Sequence, residues 1–138
     1  MKLSIASFNT ENLITAGKPI YNDTHPRFTP EQYQLKTGWI RNQLLKMDAD
    51  IIGFQEVFEE QALRDCLTGT PMAHWHLAIA NPTGLLPVNA ILSRYPIIET
   101  TIVATLPSPF FFSTTVRPAP RWTACRLPFR WSVFRAAC

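Results

Sequence analysis

One stretch, Ala-Asp-Ile-Ile-Gly-Phe-Gln-Glu-Val at residues 49–57, constrains the fold more than any other. Residues 51–54 form an apolar run with neither helical nor alternating spacing, and this pattern predicts a strand covered on both faces. Such strands belong to α/β sheets, whose ligand sites gather at the carboxyl ends of strands. Glu56 follows this run, so its carboxylate is a candidate ligand for a hard cation. The alternative is an exposed strand-end glutamate followed by more surface charge.

Length and composition indicate one ordinary domain. The chain has 138 residues, of which 46% are apolar, and that is enough for a sizeable core. The three cysteines are far apart and fit neither a disulfide framework nor a zinc site. Apolar runs stay shorter than the roughly eighteen residues of a membrane span, and the amino terminus is too polar for a signal peptide. A reducing cytoplasm is the expected location.

The chain changes character after residue 106. Residues 107–138 hold 5 of the 12 prolines, 5 of the 9 phenylalanines and five arginines, but no Asp, Glu or Lys. The remainder carries 8 basic and 10 acidic residues, so the net charge of +3 arises in the tail. We therefore expect residues 1–106 to form the folded part. Residues 107–138 are expected to form an irregular tail outside it.

The first half of the chain follows a strand, loop, helix, strand order. Residues 3–8 predict the first strand, and turn-forming residues predict a loop over residues 14–28. Thr29, Pro30 and Gln32 are typical of a capped helix start, and apolar residues at helical spacing continue to Met47. The second strand follows at residue 51, which completes a βαβ-like unit.

The segments after the second strand are shorter. We expect a helix over residues 59–67, strands over 74–79 and 89–94, and a further β-rich run over 97–106. His74 and His76 would share one face of their strand, where exposed histidines are favoured over a zinc pair because no third ligand is near. His25, in the predicted loop, is interpreted as a solvated histidine.

Three stretches together resemble the endonuclease/exonuclease/phosphatase family of metal-dependent phosphoesterases. They are Ser-Phe-Asn-Thr-Glu-Asn-Leu at residues 7–13, the stretch at 49–57, and Asn-Ala-Ile-Leu-Ser-Arg-Tyr-Pro-Ile at 89–97. The resemblance covers roughly residues 1–100. It implies a four-layer α/β sandwich, in which two packed β-sheets are flanked by helices, and of which this chain would hold the amino-terminal half.

The resemblance also implies roles for single residues. Glu56 corresponds to the magnesium-binding carboxylate and Asn9 to the asparagine near the scissile phosphate. Glu11 stands where many members carry an acidic residue near the metal. Asn89 and Arg94 match the third motif, and we assign them a structural role first. The implied cofactor is Mg²⁺, with Mn²⁺ as a substitute.

The catalytic base is the missing part of the resemblance. In the family, the base and its orienting partner come from carboxyl-terminal Asp-x-Asn and Ser-Asp-His motifs, and this sequence contains neither. The expected function is therefore a fragment of a metal-dependent phosphoesterase for phosphodiesters or phosphomonoesters, inactive by itself. The substrate class stays open among nucleic acids, inositol phosphates and lipid headgroups, and no protein partner is indicated.

Two hypotheses address the tail. In the first, the chain is a non-enzymatic binding protein whose Pro/Arg/aromatic tail contacts RNA or a protein, because arginine and aromatic side chains stack on single-stranded bases. In the second, the reading frame is lost between about residues 99 and 107, where patterning, capping and charge balance fail together. The gene sequence tests the second hypothesis, since another frame should then contain the two missing motifs.

Overall fold

The computed structural model describes residues 2–21, 23 and 25–102, and the backbone of a further strand at 133–137. Within these residues there are five strands, two α-helices and one 3-10 turn, Pro71–His74. In chain order the elements are β1 (Lys2–Leu13), α1 (Pro30–Met47), β2 (Ile51–Val57), α2 (Glu60–Leu67), β3 (His76–Ile79), β4 (Val88–Ser93) and β5 (Val133–Ala137).

The strands form one sheet with the order β3-β4-β2-β1-β5. β1 and β2 are parallel neighbours, whereas β4 pairs antiparallel with β2 and with β3. The mixed α/β content predicted from the sequence is confirmed, because strands and helices alternate up to β3. The described residues contain one sheet, so the second sheet of the four-layer arrangement stays a prediction.

Helix α1 begins and ends as its sequence predicts. Thr29 Oγ1 accepts a hydrogen bond from Gln32 N at 3.2 Å, and Gln32 Oε1 accepts one from Thr29 N at 2.9 Å. This reciprocal pair satisfies two backbone donors that the helix itself leaves free. The helix ends at Met47, and Asp48 follows with a left-handed φ of 41°. Capping chemistry therefore fixes the helix that leads into β2.

One face of the sheet is packed against the helices, and we call it the covered face. Its strand residues include Phe8, Ile52, Phe54 and Leu92, none of which is more than 4% exposed. The rings of Phe8 and Phe54 meet edge to face, with centroids 6.3 Å apart. Helix residues of α1 and α2 complete the same core: Ile40, Leu44, Ala62, Leu63, Cys66 and Leu67.

The opposite face, which we call the open face, carries Ile5, Ile51, Gly53 and Ile91. Ile5 is 45% exposed and Ile91 is 49% exposed, while Ile51 and Gly53 are half-buried. The prediction that the β2 run is covered on both faces is therefore wrong. Side chains alternate across a strand, and in this structure the helices bury one of the two sets.

Two predicted strand segments differ from the structure. His74 belongs to the 3-10 turn, and β3 begins only at His76, because Thr70 Oγ1 caps a turn that starts at Pro71. Both histidines are nevertheless exposed, as predicted. Residues 97–102 form no strand, and Ile98 is 98% exposed. The rest of that predicted run, residues 103–106, lies outside the described residues.

Most of the predicted tail, residues 107–132, also lies outside the described residues. The backbone of Val133–Ala137 forms β5, which pairs antiparallel with β1 in the register Ile5 to Phe134. For these five residues the structure differs from the expectation of a tail outside the fold. A backbone reason is available, since β1 would otherwise present a row of unpaired N–H and C=O groups. In the described part of the chain, no helix has the length and apolar character of a membrane span.

Candidate functional site

The candidate site lies where the parallel strands β1 and β2 end side by side. Asn9 pairs with Gln55 across the two strands, which brings the next residue of β2, Glu56, to the same edge. Asn9 Nδ2 donates a hydrogen bond to Glu56 Oε1 at 2.8 Å. The two residues that the sequence predicts to meet at strand ends therefore do meet, in direct contact.

The end of β1 wraps around the Glu56 carboxylate. The strand register shifts between Asn9 and Leu13, and within this bulge Glu11 and Asn12 have φ values of 53° and 61°. Glu11 N donates to Asn9 Oδ1 at 2.7 Å, and Asn12 N donates to Glu56 Oε2 at 3.2 Å. Both oxygens of Glu56 thus accept one hydrogen bond each from β1.

Thr10 anchors the bulge from the covered face. Its side chain is 3% exposed, and Oγ1 lies 2.9 Å from the carbonyl oxygen of Gln55 and 3.0 Å from that of Glu56. A hydroxyl group has one proton, so the two carbonyls share it. Sequence reasoning missed Thr10. Its signal is its position beside Asn9, because alternation turns it toward the core.

Backbone strain is concentrated at this edge. Glu56 itself has φ 61°, so three neighbouring non-glycine residues, Glu11, Asn12 and Glu56, occupy the left-handed region. Each such residue costs of order 1 kcal/mol or more and persists only where its surroundings hold it. Such conformations cluster at active sites and ligand-binding sites, which makes this edge the strongest functional candidate in the described chain.

Glu11 takes part in the site through its backbone. Its N–H holds Asn9, its carbonyl oxygen accepts a hydrogen bond from Lys36 Nζ, and its side chain is exposed. Lys36 comes from α1 and also lies 4.6 Å above the ring of Phe28. Burial lowers the pKa of Lys36, and the negative charges of Glu11 and Glu56 oppose that shift. Sequence reasoning missed Lys36, which stands within the predicted helix without any motif.

Glu59 fixes the loop between β1 and α1 to the end of β2. Thr15 donates to Glu59 Oε2 from Oγ1 at 2.7 Å and from N at 3.3 Å, and Lys18 forms an ion pair with Oε1. Burial acts to raise the pKa of Glu59, but the hydrogen bonds from Lys18 and Thr15 outweigh it and hold the pKa below its usual value. Glu59 is therefore a structural anchor, not simply surface charge.

The opposite end of β2 carries a different carboxylate, Asp50. Asp50 Oδ2 accepts hydrogen bonds from Ser4 N at 2.9 Å and from Ser4 Oγ at 2.8 Å. Arg94 Nη1 lies 2.9 Å from Asp50 Oδ1, and the Arg94 guanidinium lies 4.9 Å above the Trp75 ring. The Ser4 hydrogen bonds, with the charge of Arg94, lower the pKa of Asp50.

The geometry of the third sequence motif matches its assigned structural role. Arg94 binds Asp50 at the edge of the sheet away from Glu56. Asn89 has an exposed side chain, and its carbonyl oxygen accepts a hydrogen bond from Ala80 N at 3.0 Å, which extends the pairing of β3 with β4. Neither side chain joins the Asn9–Glu56 contact.

The remaining candidate ligands do not assemble. His25, His74 and His76 are all exposed. Within the part of the chain that the structure describes, no group of three His, Cys, Asp or Glu residues is placed to hold a metal ion. Any cation at Glu56 would therefore need water or substrate oxygens, or residues beyond the described ones, to complete its coordination.

Comparisons with known proteins add no family assignment. No protein-family model matches the chain, and neither a curated protein nor a solved structure does.

Proposed function

We propose that Asn9 and Glu56 are the amino-terminal half of a metal-dependent phosphoesterase site. The observation that supports this is their direct contact at the carboxyl ends of two adjacent parallel strands, within a strained backbone. Ligands of α/β sheets bind at such ends. The substrate class would be a phosphodiester or a phosphomonoester, and nucleic acid is one member of that class.

The Glu56 carboxylate suits a hard cation. Each of its oxygens accepts one hydrogen bond from β1, and a carboxylate oxygen has a second lone-pair direction left for a metal. Mg²⁺ is usually held by one or two carboxylates, with water and substrate phosphates in the other positions. Mn²⁺ would fit the same donors. Glu11, with its exposed side chain in the adjoining bulge, is the second proposed ligand.

Each residue has a distinct role in the proposed site. A bound Mg²⁺ would neutralise charge on a phosphate group and stabilise the leaving oxygen. Glu56 would hold that cation, and Asn9 orients the Glu56 carboxylate by donating one Nδ2 proton to Oε1. The second Nδ2 proton of Asn9 is available to donate to a phosphate oxygen. Asn12 N donates to the second carboxylate oxygen of Glu56, and the Thr10 hydroxyl holds the Glu56 backbone through its carbonyl oxygen.

Among the described residues we assign no catalytic base to the proposed site. In the resembled family, that group comes from carboxyl-terminal motifs absent here, so we expect the chain to bind a cation but not to turn over substrate. The open face supports the same proposal for the fold, because a second sheet packed on Ile5 and Ile91 would complete a four-layer sandwich. The alternative binding function depends on residues 107–138, nearly all outside the described residues.

Cation binding tests the proposal directly. We would titrate the full chain with Mn²⁺ and follow the free ion by electron paramagnetic resonance. Glu56→Gln should weaken binding at least about tenfold, because it removes the charged ligand. Glu60→Gln is the matched control, since Glu60 is only half-buried on α2 and forms an ion pair with Arg64 away from the Asn9–Glu56 contact. Equal affinity in the wild-type and Glu56→Gln chains would exclude Glu56 from a metal site.

Hydrolysis is a separate measurement. With Mg²⁺ and a chromogenic phosphodiester, the full chain should show no turnover above the metal alone. Turnover that disappears in Glu56→Gln would show that the chain contains its own base, and the expectation of an inactive fragment would then be wrong.

A further inference from the structure

Lys36 is a half-buried cation beside the proposed site that no sequence motif assigns. It reaches from α1 across the end of β1, donates a hydrogen bond to the carbonyl oxygen of Glu11, and covers the Phe28 ring at 4.6 Å. The side chain is only partly exposed, so the ammonium group has lost some of its water. Partial removal of water from an ammonium group costs free energy, so the contacts of Lys36 must offset that cost.

The strained bulge of β1 supplies one of those contacts. Glu11 and Asn12 are consecutive left-handed residues, a conformation that must be held from outside. Asn9 Oδ1 holds the N–H of Glu11, and Glu56 Oε2 holds the N–H of Asn12. The carbonyl of Glu11 and the N–H of Asn12 belong to one peptide group. Lys36 binds the carbonyl oxygen of that group, so it also fixes the direction of the N–H.

We propose that Lys36 is a positioning residue, which keeps the peptide between Glu11 and Asn12 turned so that Asn12 N stays on Glu56 Oε2. This inference rests on the proposed metal role of Glu56 and adds the residue that orients its carboxylate from the helix side. Lys36 contacts neither substrate nor metal in this role.

The sign of one measurement separates positioning from simple electrostatics. The charge of Lys36 repels a cation at Glu56, so removing that charge should strengthen cation binding if charge is all that matters. Loss of positioning acts in the opposite direction, because a freed Glu56 carboxylate must be reoriented at a cost. Substitutions of groups that orient metal ligands typically weaken affinity by about 10–100-fold.

The test compares Lys36→Met with Lys46→Met in the full chain. Methionine keeps an unbranched apolar stem for the Phe28 contact, and Lys46 is an exposed lysine in the last turn of the same helix. Mn²⁺ affinity should fall roughly tenfold in Lys36→Met and stay within about twofold of the wild type in Lys46→Met. Lys36→Arg, which keeps a cationic donor, should recover part of the loss.

Amide hydrogen exchange gives a second readout that needs no metal. In Lys36→Met the N–H of Asn12 should exchange at least about tenfold faster, because its hydrogen bond to Glu56 is released, while amides of the α1 core stay protected. If Lys36→Met does not fold, Lys36→Gln takes its place: its side chain is uncharged and one atom shorter, so the N–H of Asn12 should again exchange faster, and an unchanged rate would overturn the positioning role.

The outcomes separate the two proposals. Stronger or unchanged Mn²⁺ binding in folded Lys36→Met, with unchanged Asn12 exchange, would overturn the positioning role. Mn²⁺ affinity that is insensitive to Glu56→Gln would overturn the metal site, and faster Asn12 exchange in Lys36→Met would then still support Lys36 as the residue that holds the bulge.

Discussion

The two faces of the sheet have similar apolar sequences but different surroundings. On the covered face, Ile52 and Leu92 are fully buried beneath α1 and α2. On the open face their neighbours in sequence, Ile51 and Ile91, remain partly or half exposed. The same strands thus contribute one set of side chains to a finished core and another to a surface. An apolar side chain on this sheet stabilises the fold only where another element packs against it and removes it from water.

The largest expected effect contrasts neighbours on β4. Leu92→Ala should lower the free energy of unfolding by about 2–5 kcal/mol, because it leaves a cavity in the covered face. Ile91→Ala should cost about 1 kcal/mol or less, since half of its side chain is already in water. Urea unfolding followed by circular dichroism measures both. Equal losses in the two variants would show that the open face is covered in solution.

The contrast between the faces also explains what the sequence could predict. The capping box at Thr29, the helix end at Met47 and the meeting of Asn9 with Glu56 depend on local chemistry and on strand direction, which sequence patterns encode. The apolar run of β2 predicted burial on both faces. That prediction went wrong because an apolar run shows only that its side chains can be buried, whereas the described helices pack on one face of the sheet.

The supporting residues of the site were harder to predict for a related reason. Thr10 and Lys36 act through hydrogen bonds to backbone carbonyl oxygens of Gln55, Glu56 and Glu11. A carbonyl group is present at every residue, so no side-chain pattern marks the one that is bound. Asparagine favours the left-handed region, so Asn12 carries a weak signal for its conformation, but nothing in the sequence marks the left-handed Glu11.

A second contrast concerns association between molecules. Contiguous exposed apolar side chains promote self-association, and Ile5 and Ile91 lie on the open face. The double variant Ile5→Thr, Ile91→Thr should remain monomeric to higher concentration than the wild type, as measured by light scattering. Leu35→Thr is the control, because Leu35 is 75% exposed on α1, away from the sheet. An equal gain from the control variant would remove the open face as the cause.

Acid unfolding tests the contribution of Asp50 to stability, at the end of β2 opposite Glu56. Ser4 and Arg94 hold the pKa of Asp50 below its ordinary value of 3.8. The pKa of Asp50 is therefore lower in the folded state than in the unfolded state. Its contribution to the free energy of unfolding is complete at pH values above the unfolded-state pKa, and it is lost as the pH falls through the folded-state pKa. Asp50→Asn should therefore unfold more easily at neutral pH and show a weaker further loss below about pH 4. Asp23→Asn, at an exposed ion pair, should keep the wild-type acid profile.

The smallest expected effect concerns backbone strain in the bulge at the end of β1, beside Glu56. Glu11 has φ 53°, a conformation that glycine adopts without a steric cost, so Glu11→Gly should raise the free energy of unfolding by up to about 1 kcal/mol. Ser7 lies on the same strand with its side chain exposed, and its φ is not positive. There Ser7→Gly should lower the free energy of unfolding by about 0.5–1 kcal/mol, because glycine loses more backbone entropy on folding. Opposite signs in the two variants, measured by urea unfolding, would show that the bulge stores strain beside Glu56. A loss of stability in both would mean that the Glu11 side chain, and not its backbone conformation, stabilises this edge.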